Sequence, residues 1–498
     1  MAGRYILALD EGSSSARAIL VDHSGQIVAD ASEEFPAIYP QPGWVELDPA
    51  LIWSKMLAAI FAAMQKANAT ASDISAVGIT SHRETALVWD RVSGQPIYNA
   101  IMWMSKQTDS IVNDWSQRGL DKRIRESTGL RNDSFFSAGK ISWILENVPG
   151  AKKKAEAGEL AFGTVDSWIL WNITGGRAHA TDRSAASRTS LLNLESGDWD
   201  YELADSMGIT DKLLPELKRT IDDFGFIADN ILPGHTNSPI PVKAIFGDQM
   251  AGMFGQQCLS KGDAKNSYGT AGVLTVNVGD EPLLFENLNT SFAWDIDGSF
   301  NYETEGVVFF SGKTIQFLRD NLGLIKDAAE SEKIAGTTDS SGGVYIVPAF
   351  SGIGDPYWDR NAKASIMGMQ LDTTRNQIVR AGLESLAYQT LDNFQQIENS
   401  GFEISALKVD GGAVKNDWLC QFQADILNVE VLRPKDVERT ALGVAQAAGM
   451  GSGIWTKSDL VSQWRLDRAF EPSMDSSLRK ELVDGWKSAV EATRSHRS

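Results

Sequence analysis

Cysteine is scarce in this chain, whose 498 residues contain only Cys258 and Cys420. Two thiols cannot build a disulfide framework and give no zinc-ligand pattern, so the sequence predicts a cytoplasmic protein of a reducing compartment. No apolar run approaches the ~18 residues that span a bilayer, and residues 1–10 lack the layout of a signal peptide. The five histidines do not cluster, which argues against a histidine-based metal or nucleophile site.

Positive charge is also in short supply, with 46 Lys and Arg against 65 Asp and Glu and a formal net charge of -19. Nucleic acids and anionic membranes both need a basic surface, so neither is an expected partner. Because the net negative charge of the protein repels phosphate, any phosphate site would depend on groups in its immediate surroundings. The length exceeds what one hydrophobic core accommodates and indicates about two or three domains.

The first residues read as a β-hairpin with a polar loop. Strands over residues 5–9 and 16–21 flank a loop rich in Gly and Ser, and a third strand begins near Gln26. A strand–loop–helix dinucleotide site is excluded, because no G-x-G-x-x-G is present here. Asp48-Pro49 predicts a helix start, and residues 74–79 predict a further strand. The apolar residues at helical spacing after Pro49 predict one buried stripe, consisting of Leu51, Ile52, Met56, Leu57, Ile60, Phe61 and Met64.

The second part of the chain repeats this layout. A strand over residues 242–246 ends in Gly247-Asp248-Gln249, a small-residue loop follows at 266–272, and a strand over 407–409 ends in Asp410-Gly411-Gly412. We therefore expect a duplicated α/β architecture with one domain at residues 1–252, another at 253–498, and a cleft between them. The small-residue helix at 440–450 is expected to pack on the second sheet.

Arg83 and Glu84 follow the predicted strand at 74–79. Ligands collect at the carboxyl ends of strands in open α/β sheets, and this donor–acceptor pair suits neighbouring hydroxyl groups; the alternative is a surface ion pair. Asp248 is the best general-base candidate for a hydroxyl that attacks a phosphate. Its alternative role is to cap the following helix.

Two hairpin loops are candidates for phosphate binding. Backbone N–H groups of Gly12, Ser13 and Ser14, and of Gly269 and Thr270, can hold anionic oxygens without net positive charge; the alternative is a tight turn at each place. Arg17 would add a cation, and Asp10 could hold Mg²⁺ directly or through water. The sequence at 311–314, Ser-Gly-Lys-Thr, is not a P-loop, because Val307 stands where that motif needs glycine.

A series of motifs in order carries a family resemblance. They are Ala8-Leu9-Asp10-x-Gly12, Pro42-Gly43-Trp44-Val45-Glu46, Arg83-Glu84-Thr85, Pro96-Ile97-Tyr98-Asn99-Ala100-Ile101-x-Trp103, Gly163-Thr164-Val165-Asp166, Gly247-Asp248-Gln249, Tyr268-Gly269-Thr270, Val347-Pro348-Ala349-Phe350, Pro356-Tyr357-Trp358-Asp359 and Asp410-Gly411-Gly412-Ala413-Val414. With them the chain resembles the FGGY family of carbohydrate kinases over essentially its whole length.

The resemblance implies two actin/hexokinase/ribonuclease-H-like domains that close over ATP and a polyol. It implies ATP-dependent phosphorylation of a terminal hydroxyl of glycerol or a close small polyol, with Mg²⁺ near Asp10 and a homo-oligomer, a dimer or tetramer. The first domain would carry the acceptor and a phosphate loop, and the second the nucleotide. The implied catalytic residues are Asp248, Asp10 and Arg17; the acceptor residues are Arg83, Glu84, Trp103, Phe135, Asp248, Gln249 and Val273. The implied nucleotide residues are Gly12, Ser13, Ser14, Ser15, Arg17, Gly269, Thr270, Gly312, Gln316, Gly412, Ala413 and Asn416.

The chain also departs from the family members that act on glycerol. They carry Tyr, which contacts the acceptor, where this chain has Phe135, and Phe where it has Val273. They carry Gln at the positions of Glu11, His82 and Met104. Because the resemblance implies that Phe135 and Val273 belong to the acceptor pocket, the alternative acceptor is a four-carbon polyol such as erythritol or threitol.

Further alternatives concern regulation and class. Family members inhibited by fructose 1,6-bisphosphate bind it through a Gly-Gly-Thr-Arg loop, and the matching residues 233–239 contain no Arg, so no such inhibition is expected. A non-catalytic sensor of nucleotide or polyol is the competitor from another class, and Asp10 and Asp248 argue against it. A chaperone-like ATPase of the same fold would need a substrate-binding extension that the chain lacks.

Overall fold

The computed structural model describes residues 3–229, 231–234 and 239–496. The expectation about fructose 1,6-bisphosphate depends on residues 235–238, which lie outside the described residues. The strands are β1 Tyr5–Glu11, β2 Ser15–Asp22, β3 Ile27–Glu34, β4 Glu46–Leu47, β5 Ile74–Ser81, β6 Ala86–Asp90, β7 Ala100–Ile101, β8 Leu160–Thr164, β9 Ala180–Asp182, β10 Glu216–Lys218, β11 Val242–Gly247, β12 Ala264–Tyr268, β13 Gly272–Gly279, β14 Asn289–Ile296, β15 Ser299–Val308, β16 Tyr345–Val347, β17 Ser365–Met367, β18 Ala406–Asp410, β19 Glu430–Pro434 and β20 Leu466–Phe470.

The α-helices alternate with these strands and cover the sheets. They are α1 Pro49–Lys66, α2 Asp109–Gln117, α3 Asp121–Thr128, α4 Ser137–Asn147, α5 Ala151–Glu156, α6 Val165–Ile173, α7 Arg183–Ala186, α8 Tyr201–Ser206, α9 Asp248–Gly255, α10 Gly312–Asp320, α11 Glu330–Thr337, α12 Arg375–Glu398, α13 Asp417–Leu427, α14 Arg439–Gly451, α15 Lys457–Gln463 and α16 Ser476–Ser495. Within the described residues, none of them is both long and apolar enough to cross a membrane.

Two large sheets repeat one topology, as the sequence predicts. The first has the strand order β11-β5-β1-β2-β3 and the second the order β14-β15-β13-β12-β18-β19-β20. In each, a three-stranded antiparallel meander (β1-β2-β3 or β12-β13-β15) is continued from its first strand by two parallel strands. The carboxyl ends of the parallel strands therefore meet at one edge of each sheet, where open α/β sheets bind ligands.

Helix α1 covers the first sheet and begins as predicted. The Asp48 side chain accepts from the amides of Ala50 and Leu51, and Pro49 occupies the first turn. The predicted buried stripe is too wide, however. Ile52, Met56, Ile60 and Met64 are buried, whereas Leu51 and Leu57 are only half-buried and Phe61 is 43% exposed. Phe61 follows Ile60 directly, so the helical turn of about 100° per residue points it away from the sheet.

Helix α14 contradicts the expectation that it packs on the second sheet. It packs against α9 and against β1, β5 and β11 of the first sheet. Glycine permits this approach, because a Cβ at Gly78 of β5 would lie 2.6 Å from the Val444 carbonyl oxygen, and one at Gly443 would lie 1.9 Å from that of Ala251. The division at residues 252/253 stays a prediction, and α9 runs across it.

Candidate active site

Three parallel strands of the first sheet end beside one another and bring the predicted chemistry together. β1 and β11 both pair with β5 in parallel. Asp10 lies near the end of β1, Arg83 and Glu84 follow β5, and Asp248 follows β11. The edge of the sheet thus collects one guanidinium group and several carboxylates from distant parts of the sequence.

A chain of ion pairs connects these residues through two side chains that the sequence did not single out. The Arg83 Nε lies 3.0 Å from Oδ1 of Asp248, and another Arg83 nitrogen lies 2.6 Å from Oε2 of Glu305. Arg188 lies 2.6 Å from Oε1 of Glu305 and 2.6 Å from Oε1 of Glu84. We call Asp248–Arg83–Glu305–Arg188–Glu84 the ion-pair chain. The alternative of a surface ion pair is wrong for Arg83, whose side chain is 5% exposed.

Burial and charge act against each other within the ion-pair chain. Burial would raise the pKa of Glu305, but Arg188 and Arg83 outweigh it and hold that pKa below its usual value. Burial, reinforced by Glu305, raises the pKa of the neighbouring Glu303 to about 8. Burial also raises the pKa of Glu84, although both arginines oppose the shift. Glu305 is therefore the charged carboxylate between the two guanidinium groups, and Glu303 is neutral near pH 7.

The backbone at Glu84 has an uncommon conformation. Its φ of 65° lies in the left-handed region that favours glycine, and the Ser137 hydroxyl donates a 3.0 Å hydrogen bond to its carbonyl oxygen. Residues held in this way cluster at binding and catalytic sites. The fixed turn directs the Glu84 carboxylate to Arg188.

Asp248 is partly open, in contrast to Arg83. It is the first residue of α9, after the N-cap Gly247, and 25% of its side chain is exposed. Its Oδ1 accepts from the Arg83 guanidinium and, at 2.7 Å, from the backbone N–H of Gln249. Asp248 thus contacts one N–H of the helix, that of Gln249. Gln249 is oriented in turn, because its Oε1 accepts from Lys265 of β12 at 2.6 Å. Oδ2 of Asp248 has a longer contact, accepting from the Gln249 side-chain amide at 3.4 Å.

Aromatic rings lie around the predicted acceptor residues. Phe135, which is buried, has its ring centre 5.5 Å from that of Trp103 and 5.9 Å from that of Trp358. The indole Nε1 of Trp103 donates to the Ser13 hydroxyl at 2.9 Å, which ties the rings to the first hairpin loop. The Lys140 ammonium donates to the carbonyl oxygens of residues 134, 135 and 136 at 2.6–2.8 Å and fixes the backbone of Phe135.

The other departures from the family lie in different environments. Val273, on β13, is paired with Ser267, which accepts from Lys265. Glu11 and His82 are buried neighbours, since the His82 amide donates to the Glu11 carbonyl oxygen at 2.7 Å. Met104 is 43% exposed.

The two predicted phosphate loops occupy equivalent positions, β1–β2 in the first sheet and β12–β13 in the second. The Gly12 amide donates to the Ser15 carbonyl oxygen at 2.9 Å, and the Gly269 amide to that of Ala271 at 3.0 Å. These two amides close the hairpins, and the roles of Gly12 and Gly269 in phosphate binding stay predictions. Ser13, Ser14 and Thr270, at the loop tips, are the candidate donors.

The second loop meets the other predicted nucleotide residues. The Gly312 amide at the start of α10 donates to the Gly269 carbonyl oxygen at 3.0 Å. A Cβ at Gly411 would lie 2.5 Å from the Tyr268 carbonyl oxygen, whereas one at Gly412 would meet nothing within 4 Å. Three other predicted residues lie nearby in sequence: Ala413 is half-buried in the following turn, the Asn416 side chain caps α13, and Gln316 lies on the exposed face of α10.

Asp10 and Arg17 form a pair of facing positions on β1 and β2. The Arg17 guanidinium is engaged by Glu438, just before α14, and lies 3.5 Å from Asp30. Burial, with Asp248 and Glu438 nearby and Arg17 opposing, raises the pKa of Asp10 to about 7. A carboxylate with acidic neighbours favours a cation, which is the setting expected of a Mg²⁺ ligand.

Comparisons with known proteins agree with this geometry. Sequence models of the FGGY family of carbohydrate kinases match over residues 5–255 for the N-terminal domain and 264–452 for the C-terminal domain. A glycerol kinase of Carboxydothermus hydrogenoformans is 48% identical over 497 residues, and one of Bacillus mycoides is 46% identical over 494; each match covers 99% of both chains.

Solved structures show the same fold. The crystal structure of Plasmodium falciparum glycerol kinase with ADP has a TM-score of 0.91 at 32% identity, with 99% of each chain covered. A xylulose kinase from Lactobacillus acidophilus has a TM-score of 0.88 at 22% identity, also over 99% of each chain. These matches confirm the predicted two-domain α/β fold, while the roles of individual side chains stay predictions. The chain belongs to the FGGY family of carbohydrate kinases.

Proposed function

We propose that this protein transfers the γ-phosphoryl group of ATP to a terminal hydroxyl of glycerol, giving glycerol 3-phosphate and ADP. The observation that carries the proposal is the ion-pair chain, which directs Asp248, Arg83 and Glu84 to one edge of the first sheet. The 48% identity to a glycerol kinase along nearly the whole chain supports the same acceptor.

The chemistry follows from the positions of the side chains. Arg83 and Glu84 offer a donor and an acceptor for neighbouring hydroxyl groups of the polyol. Oδ2 of Asp248 takes the proton of the attacking hydroxyl, while Arg83 holds Oδ1 at 3.0 Å and fixes the orientation of the carboxylate. The indole of Trp103 and the ring of Phe135 cover the carbon chain and exclude water.

The second hairpin loop and the turn at residues 411–413 would hold the nucleotide. We assign Gly312, Gly412, Ala413 and Asn416 to the nucleoside side and the tips of the two hairpin loops to the phosphates. With this assignment residues 1–252 supply most of the acceptor site and residues 253–498 most of the nucleotide site.

Mg²⁺ fits the residues near Asp10. Within the described residues there is no group of three or more His, Cys, Asp or Glu side chains able to hold a metal ion. Mg²⁺ is usually bound through one or two carboxylates, water and substrate phosphates, so Asp10 would hold it, directly or through water. When bound, the ion neutralises charge on the phosphates of ATP.

A four-carbon polyol is the second candidate acceptor. Phe135 has no hydroxyl to offer the acceptor, and its ring packs on Trp103 and Trp358 instead. Val273 is smaller than the Phe of glycerol-specific relatives and leaves more room. Erythritol or threitol would fill that space with an additional carbon.

Product analysis tests the proposal directly. Incubation with ATP, Mg²⁺ and glycerol should give glycerol 3-phosphate and ADP in equal amounts, as read by phosphorus NMR; erythritol and threitol run in parallel test the second candidate. Measurable ATP binding with no phosphorylated product from any of these polyols would overturn the proposal in favour of a non-catalytic sensor.

We also propose a cytoplasmic homo-oligomer, a dimer or tetramer. The two cysteines, which are free and buried, suit a reducing compartment, and the oligomer is proposed by analogy with related kinases. Light scattering on the purified protein gives the oligomeric state, and a monomer at micromolar concentration would contradict it.

A further inference from the structure

Glu305 contacts both arginines of the ion-pair chain although it belongs to the other sheet. It lies on β15 of the second sheet, paired with Thr275 of β13 and Asn289 of β14. Its two carboxylate oxygens lie 2.6 Å from nitrogens of Arg188 and Arg83. Both arginines come from the first half of the chain, and the Glu305 and Arg188 side chains are fully buried.

We propose that Glu305 is a positioning residue for the acceptor, so that the acceptor site is complete only when the second half of the chain supplies this carboxylate. The inference rests on the proposed phosphorylation of a polyol. It extends that function by assigning the charge that orients the acceptor residues to the half expected to bind the nucleotide.

The geometry gives the reason. Each arginine contacts Glu305 with one nitrogen and a predicted acceptor residue with its Nε, Asp248 for Arg83 and Glu84 for Arg188. Without the carboxylate, two buried guanidinium groups would lie close together with no charge between them, which is strongly unfavourable. They would separate or turn, and Asp248 and Glu84 would lose their fixed orientations.

A purely structural role for Glu305 is the competing explanation, and the chain contains a matched control. Glu303 lies two residues away on the same strand, is also buried, and accepts from the Ser291 hydroxyl rather than from an arginine. Because burial raises its pKa to about 8, Glu303→Gln replaces one neutral group by another of the same shape. Glu305→Gln makes the same change in shape but removes a charge.

The test compares steady-state kinetics of both variants with those of the native chain. Glu305→Gln should raise the KM for glycerol about tenfold or more and leave the KM for ATP within about twofold. Glu303→Gln should leave both constants within about twofold. Glycerol binding measured by calorimetry should weaken in parallel for Glu305→Gln alone.

The opposite pattern overturns the inference. If Glu305→Gln lowers only the thermal unfolding midpoint or the amount of active enzyme, with the KM for glycerol unchanged, Glu305 is structural. Should that variant not fold, Glu305→Asp is used instead, because it keeps the charge on a shorter side chain. The test is again whether the KM for glycerol rises while the KM for ATP does not. Turnover of glycerol by the native chain reports on the proposed function separately, and calorimetric binding of the polyol tests Glu305 even without turnover.

Discussion

The Nε of Arg83 lies 3.0 Å from Oδ1 of Asp248, although 165 residues separate the two in sequence. They meet because β5 and β11 are parallel neighbours whose carboxyl ends coincide. The contact uses Oδ1, whereas Oδ2 accepts from the Gln249 side-chain amide at a longer 3.4 Å, and 25% of the Asp248 side chain is exposed. A partly exposed base that is oriented through one oxygen and only weakly contacted at the other is suited to accept a proton from a bound hydroxyl.

Asp248→Asn should lower kcat by about 10²–10⁴-fold, because the amide cannot accept the hydroxyl proton. The Asn side chain can still accept from Arg83, so affinities for glycerol and ADP should change little. Stopped assays for kcat and calorimetry for both ligands check this. A kcat within about tenfold of the native value would show that Asp248 is not the base.

The double variant Phe135→Tyr, Val273→Phe should shift the acceptor preference toward glycerol and away from tetritols. The added hydroxyl can bind the acceptor, and the larger ring fills the space beside Ser267. One hydrogen bond is worth about 0.5–1.5 kcal/mol, so a change of roughly 2–13-fold in the ratio of kcat/KM values is expected.

The single variants Phe135→Tyr and Val273→Phe separate the two contributions. An unchanged ratio in the double variant would mean that neither position selects the acceptor.

Lys140→Met should destabilise the protein by about 3 kcal/mol or more. It leaves the three carbonyl oxygens just before α4 without their donor, and the backbone of Phe135 loses its anchor, so the KM for the acceptor should rise as well. Urea unfolding and acceptor kinetics measure the two effects. Lys153→Met, at an exposed position of α5, is the control, and equal stability of the two variants would contradict the assignment.

Asp392 should make stability depend on pH. It is buried on α12 and accepts from the Trp486 indole at 2.8 Å, and burial raises its pKa from 3.8 to about 7 against that hydrogen bond. Between these values the folded chain binds more protons than the unfolded chain, so the free energy of unfolding falls as pH rises through this window. Asp392→Asn has no carboxyl to ionise, so it avoids this decrease. At pH 8 its free energy of unfolding should exceed that of the native chain by on the order of 1–4 kcal/mol.

Urea unfolding at about pH 5 and pH 8 checks the sign of this effect. The advantage of Asp392→Asn should shrink at the lower pH, where the native carboxyl is already protonated. Asp280→Asn, at an exposed position, serves as the control. An advantage that is equal at both pH values would contradict the raised pKa.

Local patterns in the sequence predicted much of the fold. The hairpin loops, the Asp48 cap of α1 and the repeated strand order follow from turn residues, capping residues and apolar runs, which act over a few neighbours. The sequence did not predict the sheet against which α14 packs. Small residues indicate that a helix packs closely, but they do not identify its partner. Gly78, on a strand far away in sequence, decides that contact.

The site was predictable only where a residue belongs to a motif. Arg83, Glu84 and Asp248 follow strands and stand beside family motifs, whereas Arg188 and Glu305 lie in stretches without a signal of their own. Arg188 and Glu305 are recognised as a pair only in the structure, where they lie 2.6 Å apart. A single sequence does not indicate that two residues 117 positions apart are in contact.

The most direct test of the account is the rate of ADP formation with ATP, Mg²⁺ and one acceptor at a time, across glycerol, dihydroxyacetone, erythritol, threitol and the pentitols. Glycerol should be turned over with kcat/KM of ~10⁴ M⁻¹s⁻¹ or more, above every other acceptor in the panel. No acceptor-dependent ADP, or a preference for any other acceptor in the panel over glycerol, would contradict this prediction.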